Sequence, residues 1–168
     1  ICIDTEGAQI RTKILKKKFF KKNKIIKLFG KKNNPKFYPE KITKLLKSGD
    51  VLDIGFEGLK IKIISKRKDY FIAKCITDGW FEDSKGVHLI NRNIKLDYLT
   101  DKDYAAIELA KKYKIKNYAL SFTNSVEDVK KFNKYLPRCN KIYKIESKEA
   151  LKNIKAIVKE GKNFLIDR

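Results

Sequence analysis

Lys141-Ile142-Tyr143-Lys144-Ile145-Glu146-Ser147 reads as a strand that runs straight into a helix cap. Residues two apart on a strand point to the same face, so Lys144 and Glu146 set an ammonium beside a carboxylate. They fall where the strand ends and Ser147 can cap the next helix. In strand–helix repeats the carboxyl ends of the strands are where ligands bind. A cation that meets developing negative charge, next to a carboxylate able to hold a metal, suits phosphoryl or enolate chemistry. The plain alternative is a salt bridge at a strand end.

The pattern continues on both sides of that stretch. Upstream, Thr100-Asp101-Lys102-Asp103 has the form of a capping box, and Tyr104, Ile107 and Ala110 recur on one face of a helix ending near Tyr113. Tyr118 to Phe122 has the composition of a buried strand. Ser125 with Asp128 caps a second helix, whose face is Val129, Phe132 and Leu136 and which Pro137 ends. Downstream, the helix from Ser147 is expected to turn Leu151, Ile154, Ile157 and Val158 inward and to stop at Gly161. A strand from Asn163 to Asp167 follows. Helix and strand alternate with short loops, the signature of a parallel α/β unit. With Ile1-Cys2-Ile3-Asp4 as a further strand, four strands make about half of a closed eight-fold barrel of about 250 residues.

Between that first strand and the first helix the sequence changes character. Lysines interleave with Phe19, Phe20, Ile25, Ile26, Leu28 and Phe29 over Lys13 to Lys32, read as a pair of amphipathic strands with solvated lysines. Leu59, Ile61 and Ile63 alternate with Lys60 and Lys62, and Tyr70 to Ile76 forms another strand. Trp80 and Phe81 are expected to close a small hydrophobic core. Short strands with turn punctuation indicate a small β-barrel or sandwich inserted into the α/β unit.

The 168 residues carry a formal net charge of +21, nearly all of it from lysine. Such a balance attracts nucleic acid, acidic membranes or phosphorylated substrates. Arg, the residue of bidentate base contacts, is confined to Arg11, Arg67, Arg92, Arg138 and Arg168. The lysine excess is therefore read as compositional, and nucleic acid is not the expected partner. No apolar run reaches membrane-spanning length and the N-terminus is not a signal peptide. Cys2, Cys75 and Cys139 form no C-x-x-C and read as reduced, structural and cytoplasmic. His88 is the only histidine, which argues against zinc. The chain opens and closes on strand-like runs, as a piece of a longer protein would.

An all-β insert after one parallel strand is unusual, and the residues around it resemble the pyruvate kinase family. Ile3-Asp4-Thr5-Glu6-Gly7-Ala8-Gln9-Ile10-Arg11-Thr12 resembles L-D-T-K-G-P-E-I-R-T, and Ser84-Lys85-Gly86-Val87-His88-Leu89 resembles K-G-V-N-L-P-G. Leu99-Thr100-Asp101-Lys102-Asp103 is similar to L-T-E-K-D, Leu120-Ser121-Phe122 to A-S-F, Lys144-Ile145-Glu146 to K-I-E, and Asp167-Arg168 to A-R-G-D. The motifs occur in order along nearly the whole chain.

The resemblance implies a partial TIM barrel over residues 1–12 and 95–168, with a β-barrel lid over 13–94. It implies phosphoryl transfer from phosphoenolpyruvate to ADP in glycolysis, with Mg2+ or Mn2+ and K+, in a full-length protein expected to be a homo-oligomer. By position, Lys144 would stabilise charge on the transferring group, and Glu146 would hold the divalent metal. Asp4 and Thr5 would lie at the monovalent cation, Arg11 and Lys85 at nucleotide phosphates, and Ser121 and Phe122 along the substrate pocket. The sequence departs from the family at Ala8 and Gln9, at Ile54-Gly55-Phe56-Glu57-Gly58, where paired aspartates are usual, and at His88-Leu89-Ile90-Asn91. A second metal carboxylate would fall just past Arg168. An inactive homologue that binds a phosphorylated metabolite is the alternative, and a basic nucleic-acid module centred on Lys16 to Lys32 a third reading.

Overall fold

The computed structural model describes residues 1–55 and 58–167 and divides into two compact units, 1–9 with 96–168 and 10–95. Phe56, Glu57 and Arg168, named in the motifs above, lie outside the described residues.

The first unit is a parallel sheet of β1 (Cys2–Asp4), β11 (Asn117–Leu120), β12 (Asn140–Ile145) and β13 (Phe164–Ile166), in that order. Its helices are α2 (Asp101–Lys112), α3 (Val126–Tyr135), α4 (Lys148–Lys152) and α5 (Ile154–Glu160). Both expected capping boxes are present, at Thr100–Asp103 and Ser125–Asp128. Each leaves two fewer unsatisfied amides at a helix start. Ile107, Val129, Phe132 and Leu136 pack with Tyr118, Leu120, Tyr143 and Ile145 in one apolar cluster.

The last helix departs from expectation. Asn153 ends α4 and begins α5, and its side-chain Nδ2 donates to the Asn124 carbonyl (2.8 Å). The break rotates the apolar stripe, so Ala150 and Ile157 are buried while Leu151 and Val158 are exposed. Gly161 stops the helix in an extended conformation and not a left-handed one. A Cβ there would come within 2.7 Å of the Phe164 ring and 2.8 Å of Tyr143, so close packing accounts for the glycine.

Among its described residues the second unit is all-β apart from one helical turn, α1 (Ile42–Leu45). Its antiparallel sheet runs β4 (Ile25–Phe29), β8 (Tyr70–Cys75), β7 (Leu59–Lys66), β6 (Val51–Ile54), β10 (Gly86–Leu89), β2 (Ile10–Lys13), β5 (Lys36–Tyr38). The Phe29 amide donates to the Pro35 carbonyl (2.8 Å) and brings the two outermost strands together, so the sheet nearly closes. Ile10, Arg11 and Thr12 belong to this unit because β2 pairs with β5 and β10. Leu59, Ile61 and Ile63 are fully buried, as their alternation predicted.

A separate ribbon pairs β3 (Lys18–Phe20) with β9 (Gly79–Phe81). Phe81 is fully buried, but Trp80 remains 49% exposed, against the expectation that both enter the core. Adjacent residues on a strand face opposite sides, so one of the pair had to face out.

Asp50 anchors this unit. It accepts from Arg92 Nε at 2.7 Å, Arg92 Nη2 at 2.8 Å and the Lys47 amide at 2.8 Å. Burial pushes its carboxyl up, but the Arg92 fork and the Lys47 amide together hold it below the ordinary value. A depressed acid stabilises above its unfolded pKa, near 3.9, and that contribution is lost as pH falls through the folded value. Asp50→Asn should cost about 2 kcal/mol at neutral pH, less than a fully buried pair because Arg92 is partly solvated. The difference from wild type in urea denaturation should shrink as pH falls below the unfolded value and vanish once it passes the depressed folded one.

Candidate active site at the carboxyl ends of the parallel strands

Lys144 is the penultimate residue of β12 and only 8% exposed. Its ammonium lies 3.2 Å from Asp4 Oδ2, 3.5 Å from Glu146 Oε1 and 3.4 Å from Asp167 Oδ2. Parallel pairing places β1, β12 and β13 with their carboxyl ends on one side, and these acids follow from that. Burial pulls the lysine pKa down, but the bonds to Asp4 and Asp167 and the charges of Glu146 and Asp4 outweigh it, so the net shift is upward. Lys144 is a fixed cation and not a proton donor at neutral pH.

The backbone between β11 and α3 completes the cluster. Phe122 has φ 51°, an uncommon left-handed value for a non-glycine residue. In that conformation its amide donates to Glu146 Oε2 at 2.7 Å. Glu146 is thus held at both oxygens, by Lys144 on one and Phe122 on the other. The Ser121 hydroxyl donates to Asp4 Oδ1 (3.0 Å), and the Ser121 amide donates to Thr5 Oγ1 (3.1 Å). Six of the candidates named from sequence, Asp4, Thr5, Ser121, Phe122, Lys144 and Glu146, therefore meet in one hydrogen-bonded group.

Arg11 and Lys85 lie in the second unit, Arg11 on β2 opposite Gly86 of β10 and Lys85 just before β10. Arg11 Nη1 donates to the Ser84 carbonyl (3.2 Å), while its buried Nε has no hydrogen-bond partner. Lys85 Nζ is 3.4 Å from Glu82 and half exposed. Thr12 joins the two positions, its amide donating to the Lys85 carbonyl and its hydroxyl oxygen accepting the Lys85 amide, both at 2.8 Å.

Three residues carry more of the site than their sequence context showed. Asp103 was legible only as a capping residue, yet its carboxylate also accepts from the Glu6 amide (2.6 Å) and the Gly7 amide (3.1 Å). It therefore fixes the loop after Asp4. Asp167 is the third carboxylate on Lys144. Buried Thr123 donates its amide to the Lys144 carbonyl (3.1 Å) and its hydroxyl to the Leu120 carbonyl (2.9 Å).

Counted formally, one ammonium and three carboxylates leave this cluster at −2. Hard oxygen donors with surplus negative charge fit a magnesium-type cation, which takes one or two carboxylates and fills its remaining positions with water and substrate oxygens. Among the described residues, no three His, Cys, Asp or Glu side chains converge so as to hold a metal by themselves.

These features define an α/β protein with an ionic site at its strand carboxyl ends and an all-β unit inserted after the first strand. The family described as pyruvate kinase, barrel domain, matches residues 1–168. Pyruvate kinase of Methanocaldococcus jannaschii is 30% identical over 175 residues, covering 99% of this chain and 37% of that protein. That of Borreliella burgdorferi is 28% identical over 178 residues, covering 100% and 37%. The crystal structure of Cryptosporidium parvum pyruvate kinase superposes with a TM-score of 0.82 at 22% identity, over 99% of this chain and 39% of that one. The chain belongs to the pyruvate kinase family. It spans less than two-fifths of the length of these relatives. Among the described residues no helix is long and apolar enough to cross a membrane.

Proposed function

We propose that this chain supplies the central catalytic part of a phosphotransferase that moves a phosphoryl group from phosphoenolpyruvate to ADP. The observation that carries the reading is the buried Lys144 ammonium, held charged beside Glu146 at the carboxyl end of a parallel strand. In the transfer, the bond between phosphorus and the enol oxygen breaks and a bond to a β-phosphate oxygen of ADP forms. The enolate left behind gains a proton to give pyruvate. Negative charge grows on the enol oxygen, and a fixed cation nearby stabilises that state without moving a proton.

In this reading the four parallel strands are part of an eight-stranded TIM barrel, and the second unit is its lid. Ser121 and Phe122 orient the substrate. Arg11 and Lys85 take nucleotide phosphates, and the unpartnered Arg11 Nε is a donor suited to one. Glu146 would hold a divalent cation, which when bound neutralises charge on the phosphoryl oxygens. Asp4 and Thr5 would serve K+. The family's acid is Gln9 here, whose buried Oε1 has no hydrogen-bond partner. A neutral oxygen is a weaker attraction for K+ than a carboxylate.

The test is pyruvate formation by the full-length protein from phosphoenolpyruvate and ADP with Mg2+, with and without K+. Turnover that requires Mg2+ and responds only weakly to K+ is expected. Folded protein that binds phosphoenolpyruvate without turnover would overturn this reading and leave a metabolite-binding homologue.

A further inference from the structure

Residues 12–39 contain eleven lysines and no acidic residue. The β3–β9 ribbon sets Phe19 opposite Trp80 on its outer face, with ring centroids 5.3 Å apart at an interplanar angle of 67°. The two residues are 47% and 49% exposed. Lys17 Nζ lies 4.8 Å above the Trp80 ring, so charge and aromatic face occupy the same spot. The acids nearest the ribbon are already engaged: Asp78 accepts the Lys22 amide and Glu82 pairs with Lys85.

We infer that this face of the second unit binds single-stranded nucleic acid, with bases stacked on Phe19 and Trp80 and the phosphates met by the surrounding lysines. Stacking is indifferent to sequence because every base has a π-face, and exposed aromatics beside tracked cations are the usual means of such binding. The position of Lys17 favours this over a membrane surface. Burying the Trp80 ring in lipid would strip water from the ammonium above it, whereas a stacking base displaces Lys17 towards a phosphate. The face lies in a separate unit from Lys144 and does not depend on the phosphotransferase reading.

The test is fluorescence anisotropy of a labelled oligouridylate 12-mer titrated with the full-length protein. Four phosphate contacts would weaken binding about 50-fold between 50 and 200 mM salt. Phe19→Ala with Trp80→Ala should weaken it at least about tenfold, while Trp80→Phe retains most of the affinity. Lys17→Gln with Lys21→Gln and Lys24→Gln should flatten the salt dependence. Absence of binding would overturn the inference, as would binding that the aromatic double variant leaves unchanged in a protein with an unaltered melting curve. Tighter binding to phosphatidylserine vesicles than to the oligonucleotide would also overturn it. If the double variant unfolds, Trp80→Leu beside Trp80→Phe decides, and equal affinity of those two would exclude stacking.

Discussion

Full-length protein with Lys144→Met should, on the proposed function, form pyruvate about 10²–10³-fold more slowly than wild type, with a much smaller change in phosphoenolpyruvate affinity. Removal of one group that stabilises transition-state charge typically costs 10²–10³ in kcat, and Lys144 stands at three carboxylates that otherwise repel the incoming phosphoryl oxygens. Methionine fills a similar volume, so the loss would come from charge and not from a cavity. Lys144→Arg should not restore the rate, because a planar fork cannot occupy the place of a compact ammonium. The comparison of kcat with KM separates this from plain destabilisation, which would lower the amount of active enzyme and leave KM and the rate per folded molecule alone. The upward shift of the lysine pKa sets the pH behaviour. Its stabilising contribution is complete below the unfolded lysine value, about 10.4, and is lost as pH rises through the higher folded value. No limb of the rate profile near neutrality should belong to Lys144.

The largest effect on stability is expected at Gly7. Its φ is +67°, and a Cβ built there would stand 2.1 Å from the Ser121 carbonyl oxygen and 2.7 Å from its carbon. Both contacts are backbone, so no side-chain rotation relieves them. Gly7→Ala must push apart the loop after β1 and the turn after β11, which are the two segments that position Asp4, Thr5, Ser121 and Phe122. The left-handed conformation alone costs about 1–2 kcal/mol, and displacement of packed backbone should bring the loss above about 3 kcal/mol by urea denaturation. Gly49→Ala is the matched control. Gly49 has φ +91° with no atom within 4 Å of the built Cβ, so only about 1 kcal/mol of conformational cost is expected there.

Much of the first unit was legible because it rests on local rules. The two-residue spacing of Lys144 and Glu146 fixes a shared face, and the two capping boxes fix where α2 and α3 begin. Leu59, Ile61 and Ile63 showed their face by alternation. What was not legible depends on pairing between distant residues. Nothing near Asp103 announces that its carboxylate also holds the amides of Glu6 and Gly7, because those residues lie 97 and 96 positions away. Asp167 becomes a partner of Lys144 only through the parallel register of β12 and β13. For Trp80 and Phe81 the strand rule demanded that one face out, and only the pairing of β3 with β9 decided which. Asn153 shows the opposite failure: a helical stripe continued on paper across a residue whose side chain is drawn to Asn124.

The parallel pairing of β1 with β11 joins Asp4 to Ala119, 115 positions further on. A ribosome adding about 5–20 residues per second would take about 6–23 s to make the intervening chain. During that time β1 lacks its β11 partner, while every residue of the second unit has already been made. The order of synthesis thus favours a nascent chain that acquires its β unit first. It leaves the short apolar strand carrying Asp4 without this parallel partner until β11 emerges.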